Sequence, residues 1–352
     1  MSDFLFQPYL TVVAASRNDD HGGDPLTRTQ IFLDNLAQQA ESLQLPCEIL
    51  LVDWNPPADR PDLSQAIDWS FLNAYCHARV VQVPAEIHQR SVCGDKLPLL
   101  QMIAKNVGIR RARGEFVLAT NIDILFSDEL MRFLAQRNLK KGYSYRTDRL
   151  DIESGVPAQA SSRERLAYAW DHTIRLHQRG KTDFLTPGNP ITAASPILFN
   201  NPAVFESNQD GDHILRLDVP IDMVHTNACG DFTLLHRDDW ERIGGYAEFD
   251  LYSFHIDSLG CLSAHYSGIR EYFLPIPCAT FHIEHSIGSG WSPEGQERLF
   301  TRLAANKIWW LPWSLVSDWV KQIRQNKQPL PFNKDNWGLS DINLPETSHQ
   351  PQ

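Results

Sequence analysis

Several things are missing from this sequence, and each absence excludes something. No stretch of about 18 apolar residues occurs in the 352-residue chain, so no membrane-spanning helix is expected. The N-terminus, MSDFLFQPYL, opens with an acid and lacks a basic region, an apolar run and a small-residue cleavage site, so no secretory signal is expected. Basic charge is in deficit: 32 Lys and Arg against 43 Asp and Glu give a net charge of -11 with histidine neutral. That balance disfavours nucleic acid as a partner, the local cluster Arg110, Arg111 and Arg113 being too small a patch. There is no CxxC pair. Cys47, Cys76, Cys93, Cys229, Cys261 and Cys278 are scattered, four of them in or beside apolar segments, as reduced thiols of a cytoplasmic protein are. Disulfides and structural zinc are therefore not expected, and neither internal repeats nor low-complexity tracts occur.

What is present is 42% hydrophobic and 21% charged, the profile of a folded chain long enough for one large domain or two smaller ones. Leu10 to Ala15, Glu48 to Val52, Ala78 to Val83 and Glu115 to Thr120 are short apolar runs that read as buried strands. Between them, Leu26 to Leu43 and Lys96 to Ala112 read as helices, the second stopped at Gly114. Strand and helix in alternation predict an α/β fold with a mostly parallel sheet sandwiched by helices. A further helix is expected over Ser162 to Gln178. The Pro, Gly and Asn-rich run from Leu185 to His213 reads as a functional loop. In parallel sheets ligands bind where the strands end. Three strand ends here carry polar groups: Ser16-Arg17-Asn18, Asp53 and Asn121-Ile122-Asp123. Each alone is an ordinary turn; together, in consecutive βα units, they predict a site.

Asn106 to Asp123 (NVGIRRARGEFVLATNID) resembles the segment of GT-A-fold glycosyltransferases, family 2 especially, that runs from an N-x-G helix through a G-E-apolar strand to a DxD motif. Leu10 to Ala15 and EILLVD, ending at Asp53, resemble the first two nucleotide-binding strands of that fold. Gly230 to Glu248 (GDFTLLHRDDWERIGGYAE) resembles its acceptor-side stretch. The resemblance spans roughly 10–150 and 225–290 and implies a mixed, mostly parallel Rossmann-like sheet. It implies one catalytic domain over 1–300: a nucleotide-sugar half to about 150, an irregular acceptor insertion to about 225, and an acceptor and catalytic half beyond. Residues 301–352 are then a helical extension.

By the same resemblance the protein moves a sugar from a UDP-, GDP- or dTDP-sugar to a glycan or other hydroxyl acceptor, as a hexosyl- or N-acetylhexosaminyltransferase. A divalent cation, Mn²⁺ or Mg²⁺, would stabilise the diphosphate leaving group. Asp123 would hold it, with His282 and His285 of FHIEHSIGSGW as further ligands, although a spacing of three suits a helix better than the strand read before them. Position 121 departs from DxD: Asn121 can bond the donor but brings no charge, which would weaken dependence on metal. Asp257 of FHIDSL stands where the family carries its general base, with His255 in the place of the usual first acid. Asp257 also fits an N-cap of the helix that follows, and Asp250 and Glu248 are alternative bases. Ser16, Arg17, Asn18, Asp53, Lys96, Asn106 and Asn121 are candidates for the donor, and Gly230, Asp231, Glu248 and Trp291 for the acceptor.

Three other readings stay open: a retaining transferase, a noncatalytic nucleotide-sugar or glycan-binding protein, and a nucleotidyltransferase, against which HGGD at 21–24 lacks basic residues. Six of ten tryptophans lie at Trp291, Trp309, Trp310, Trp313, Trp319 and Trp337. Lys307 to Lys321 (KIWWLPWSLVSDWVK) is too short to span a bilayer. It can lie peripherally on a membrane or, as is commoner, pack back on its own domain.

Overall fold

The structure, a computed structural model, describes residues 6–20, 22–186, 204–207, 212–285 and 294–351. The first half runs β1 (Leu10–Ser16), α1 (Pro25–Ser42), β2 (Cys47–Trp54), α2 (Leu63–Ala66), β3 (Cys76–Val83), α3 (Ala85–His88), α4 (Gln101–Arg111), β4 (Phe116–Ala119), β5 (Ile124–Phe126) and α5 (Asp128–Ala135). Next come β6 (Tyr143–Ile152), α6 (Ser162–Asp171), β7 (Thr173–Gln178), β8 (Lys181–Phe184), β9 (Phe205–Ser207) and β10 (His213–Leu215). The chain finishes with β11 (Thr233–His236), α7 (Arg237–Ile243), α8 (Ile256–Tyr266), β12 (Arg270–Ile283), α9 (Gln296–Ala305), α10 (Trp313–Asn326) and β13 (Glu346–His349).

The strands form one mixed sheet in the order β13-β3-β2-β1-β4-β11-β6-β12-β10-β9, with β5 on β12 and the β7-β8 hairpin on β6. The longest ladders, β1–β2, β2–β3 and β6–β12, are parallel. β11 joins the two parallel blocks, antiparallel to both β4 and β6. Apolar side chains alternate across the first block. Val12 and Ala14 of β1 pack with Phe32, Leu36 and Ala40 of α1 on one face, while Val13 packs with Ala104 and Val107 of α4 on the other. Burying each large apolar side chain is worth about 1.5–3 kcal/mol, so the two-sided runs drive this block. Gly108 is required by it: a Cβ there would lie 2.4 Å from Val13 Cγ1, and only glycine lets α4 settle this close to β1.

Two helices differ from expectation. The second starts at Gln101 rather than Lys96, because Pro98 disfavours helical geometry at the residue before it. The helix expected over 162–178 begins with a Ser161–Glu164 capping box but ends at Asp171. From Thr173 the chain pairs as β7 with β6, Leu176 opposite Leu150. Long-range pairing, helped by β-branched Thr173 and Ile174, overrides the local helical pattern.

At the C-terminus α10 buries Val316, Val320 and Ile323, while Trp319 meets the rings of Phe249 and Phe332 at 5.6 and 4.9 Å. The stripe of this helix therefore packs on its own domain. The tail expected to be helical also carries β13, which pairs with β3. Among the described residues no helix is long and apolar enough to cross a membrane.

Candidate functional site

The ends of β1 and β4 open into a cleft of about 1150 Å³. Asp123 follows β4 and is 7% exposed on the cleft floor. Its histidine neighbours are set by register. Antiparallel pairing puts His282 of β12 opposite Ile124 of β5, and the Ile283 N–H donates to the Asp123 carbonyl at 2.9 Å. His282 Nε2 lies 3.8 Å from Asp123 Oδ2. β12 ends at Ile283, so His285 lies outside the strand and returns its Nε2 to 3.2 Å from the same oxygen. The three-residue spacing, awkward for a continuous strand, is resolved by that ending.

Asp123, His282 and His285 offer three ligand atoms close enough to share one ion. Among the described residues buried Asp123 Oδ1 has no hydrogen-bond partner, and two imidazoles with a carboxylate form a donor set that Mn²⁺ accepts better than Mg²⁺. Burial alone would raise the Asp123 pKa. The His285 hydrogen bond and the charges of His282, His285 and Arg28 outweigh it and hold the carboxyl well below the usual range.

Beneath this group lies an ion network that sequence reading missed. Arg149 and Asp151 alternate along β6 and pair with His177 and Arg175 of β7, so four polar side chains share one face. Asp151 accepts from Arg175 at 2.7 Å, lies 2.9 Å from Arg149 Nε and meets His177 Nε2 at 2.8 Å. His282 Nδ1 is 3.3 Å from Asp151 Oδ1, so the ring lies between the Asp151 and Asp123 carboxylates. Burial opposes the charge of Asp151, but Arg149, His177 and His282 overcome it and depress its pKa strongly. Arg28 of α1 lies 4.0 Å from Asp123 and donates to the Gly22 and Gly23 carbonyls. The period-two charges of β6 and β7 were the available signal; pairing of the two strands was not.

The opposite wall is simpler. Asn121 accepts from Gln101 at 2.8 Å and donates to Asp231 at 2.5 Å, while the other Asp231 oxygen accepts from Arg149 at 2.5 Å. The network thus ties Asn121 and Asp231 to the floor. Next to Asp231, the Gly230 carbonyl accepts from buried Lys105 Nζ at 2.7 Å. Burial lowers the Lys105 pKa, partly offset by Asp231 and Asp257. Asp257 lines the cleft over Gly230: a Cβ on Gly230 would meet Asp257 Oδ2 at 2.9 Å. Asp257 is not the N-cap of α8. That position is His255, at φ 70°, and Asp257 sits in the first turn accepting from the Ser258 N–H at 2.8 Å.

The cleft therefore gathers Ser16, Arg17, Lys96, Asn121, Asp123, Gly230, Asp231, Asp257, His282 and His285. Other candidates lie elsewhere. Asn18 donates to the Pro61 carbonyl at 2.8 Å. Asp53 accepts from the Leu63 N–H at 2.8 Å, and burial raises its pKa to about 6. Asn106 donates to Glu248 and to the Tyr246 carbonyl, and Glu248 accepts from the Gly338 N–H, so this pair fastens the C-terminal segment. Asp250 accepts from the Val92 N–H. Trp291 lies outside the described residues.

No protein-family model matches this chain, and no curated protein matches it. Among solved structures, S. aureus TarS 1–349 aligns at 13% identity and a TM-score of 0.42, covering 90% of this chain and 71% of that one. The same protein in complex with UDP aligns at 13% identity and a TM-score of 0.39, with the same coverage.

Proposed function

We propose that the chain is a glycosyltransferase that moves a sugar from a nucleoside-diphosphate sugar to a hydroxyl acceptor, with inversion at the anomeric carbon. One observation carries this reading. A single cleft holds a buried carboxylate–imidazole group suited to a divalent ion and, across Asn121 and Asp231, a second carboxylate, Asp257.

Asp123, His282 and His285 would hold Mn²⁺, which when bound supplies positive charge to the diphosphate leaving group. Arg28 and Arg149 add fixed cations to the same floor. Asp151 adds a negative neighbour on the far side of the His282 ring, and Asn121 is held by Gln101 and Asp231 at the side of the donor. At the wall, Asp257 takes the proton of the acceptor hydroxyl as its oxygen bonds to the anomeric carbon. The bond from that carbon to the β-phosphate oxygen breaks, and the nucleoside diphosphate leaves with the electron pair. Inversion follows because nucleophile and leaving group occupy opposite faces of the sugar.

The test is a screen of UDP-, GDP- and dTDP-sugars by thermal shift with and without Mn²⁺, followed by assays of donor hydrolysis and of transfer to a broad acceptor panel. The reading expects a metal-dependent shift with at least one donor, and turnover of that donor. Binding without turnover assigns the cleft to noncatalytic recognition. Product of retained configuration overturns the role given to Asp257.

A further inference from the structure

Six large hydrophobic side chains are exposed among the described residues, and four of them belong to two segments, the 89–96 loop and the 302–315 stretch that runs into the first turn of α10, which the 250–252 segment ties together. The Asp250 carboxylate accepts from the Val92 N–H at 2.9 Å, while the Tyr252 N–H donates to the Trp309 carbonyl at 2.9 Å. Val92 is 81% exposed and Trp309 69%, with Trp313 and Leu315 at 39% each. The buried stripe of α10 takes no part: Trp309 precedes the helix, and Trp313 and Leu315 lie in its first turn, off the Val316, Val320 and Ile323 face. Arg302 at the end of α9, Asn306 and Trp313 also line the cleft, so these segments form its lip.

Charge distinguishes the lip from the rest of the protein. Its two segments, 89–96 and 302–315, carry exposed Arg90, Lys96, Arg302 and Lys307 against exposed Asp95 and the partly exposed Asp250 that ties them, an excess of two positive charges in a chain of net charge -11. Tryptophan prefers the boundary between water and hydrocarbon, where its ring is buried and its N–H stays solvated. Lysine and arginine beside it reach outward to anionic headgroups, and an anionic surface attracts basic segments within a Debye length. A second copy of this chain fits poorly, because a two-fold contact would set two cationic lips against each other.

We propose that this lip is a docking surface for an anionic lipid bilayer, with the aromatic side chains entering the headgroup region and Arg90, Lys96, Arg302 and Lys307 facing the lipid charge. Membrane contact then comes from a composite lip of two segments and not from the apolar stripe of α10. Docking is independent of the reaction proposed above, and its test uses no donor sugar.

The full chain is sedimented with vesicles of phosphatidylcholine alone and with vesicles containing about one third phosphatidylglycerol, at low and high salt. Binding is expected to the anionic vesicles at low salt and to weaken about tenfold at 1 M salt, where the Debye length falls to about 3 Å. Trp309→Ser with Leu315→Ser, and separately Lys307→Glu, should each weaken partitioning about tenfold at an unchanged Tm, because these side chains are exposed. Neither Trp309 nor Leu315 lines the cleft, so activity on a water-soluble acceptor should stay as in the wild type. Wild-type protein remaining in the supernatant with anionic vesicles at low salt overturns the proposal. So does vesicle binding that the double variant retains in full. A concentration-dependent dimer by light scattering that the double variant abolishes would assign the lip to self-association instead.

Discussion

The floor of the cleft and its wall are built on opposite principles. On the floor, Asp123 and Asp151 are almost fully buried and fixed by histidines and guanidiniums from α1, β6, β7 and β12, so each carboxylate has charged neighbours on several sides. On the wall, Asp257 accepts from one neighbouring N–H and rests over a glycine. A preorganised charged floor suits binding of a multiply charged ligand, since its dipoles and charges do not have to reorganise when the ligand arrives. A lightly held carboxylate suits a group that must exchange a proton with a bound hydroxyl.

Substitutions can break or sharpen that contrast, taken from the largest expected effect to the smallest. Asp123→Asn removes the floor charge that both histidines face and should cost about a thousandfold in transfer. It should also abolish any Mn²⁺-dependent thermal shift with a nucleoside diphosphate; a shift equal to that of the wild type would remove Asp123 from the metal role. Asp257→Asn should lower kcat about a hundredfold or more through loss of the base, leaving donor affinity by titration calorimetry unchanged. Transfer at the wild-type rate would make the wall carboxylate a bystander.

Gly230→Ala tests the wall by geometry alone. Its Cβ would press on Asp257 Oδ2 from 2.9 Å, and displacing the carboxylate should cost about tenfold in kcat with little change in donor affinity. Asp53→Asn is the control outside the cleft. With its pKa raised to about 6 by burial, Asp53 favours folding while protonated, and that advantage is lost as pH rises from about 4 through 6. The Asn variant keeps an acceptor for the Leu63 N–H and should be more stable than the wild type at pH 7 by about 3 kcal/mol, and no more stable at pH 4, in urea titrations. Unchanged transfer kinetics in this variant would confine Asp53 to the fold.

Legibility differed between these regions for the same reason. β1 and β2 are buried along their whole lengths, so their apolar runs stood out, and Asp123 was singled out because it comes shortly after another such run, β4. Arg28, Arg149, Asp151 and Arg175 were missed because they come from three elements that only strand pairing and helix packing bring together. Asn106 and Glu248 matched the resembled sequence pattern, yet they bond to each other and to the Gly338 N–H at a place outside the cleft lining. A motif position records that a residue type is needed, not whether a ligand or the fold needs it.

By itself the sequence determined the α/β alternation, the strand ends that hold Asp123, and the two carboxylate-bearing segments around positions 123 and 257. Those features are local, arising from side-chain periodicity and the chemistry of turns. Only the tertiary structure decided that His282 and His285 meet one carboxylate, that β6 and β7 lay a charged network beneath it, and that the α10 stripe is buried while Trp309 stays exposed. Each of these depends on register and packing between segments far apart in the chain, where one residue of slip would turn every side chain to the other face.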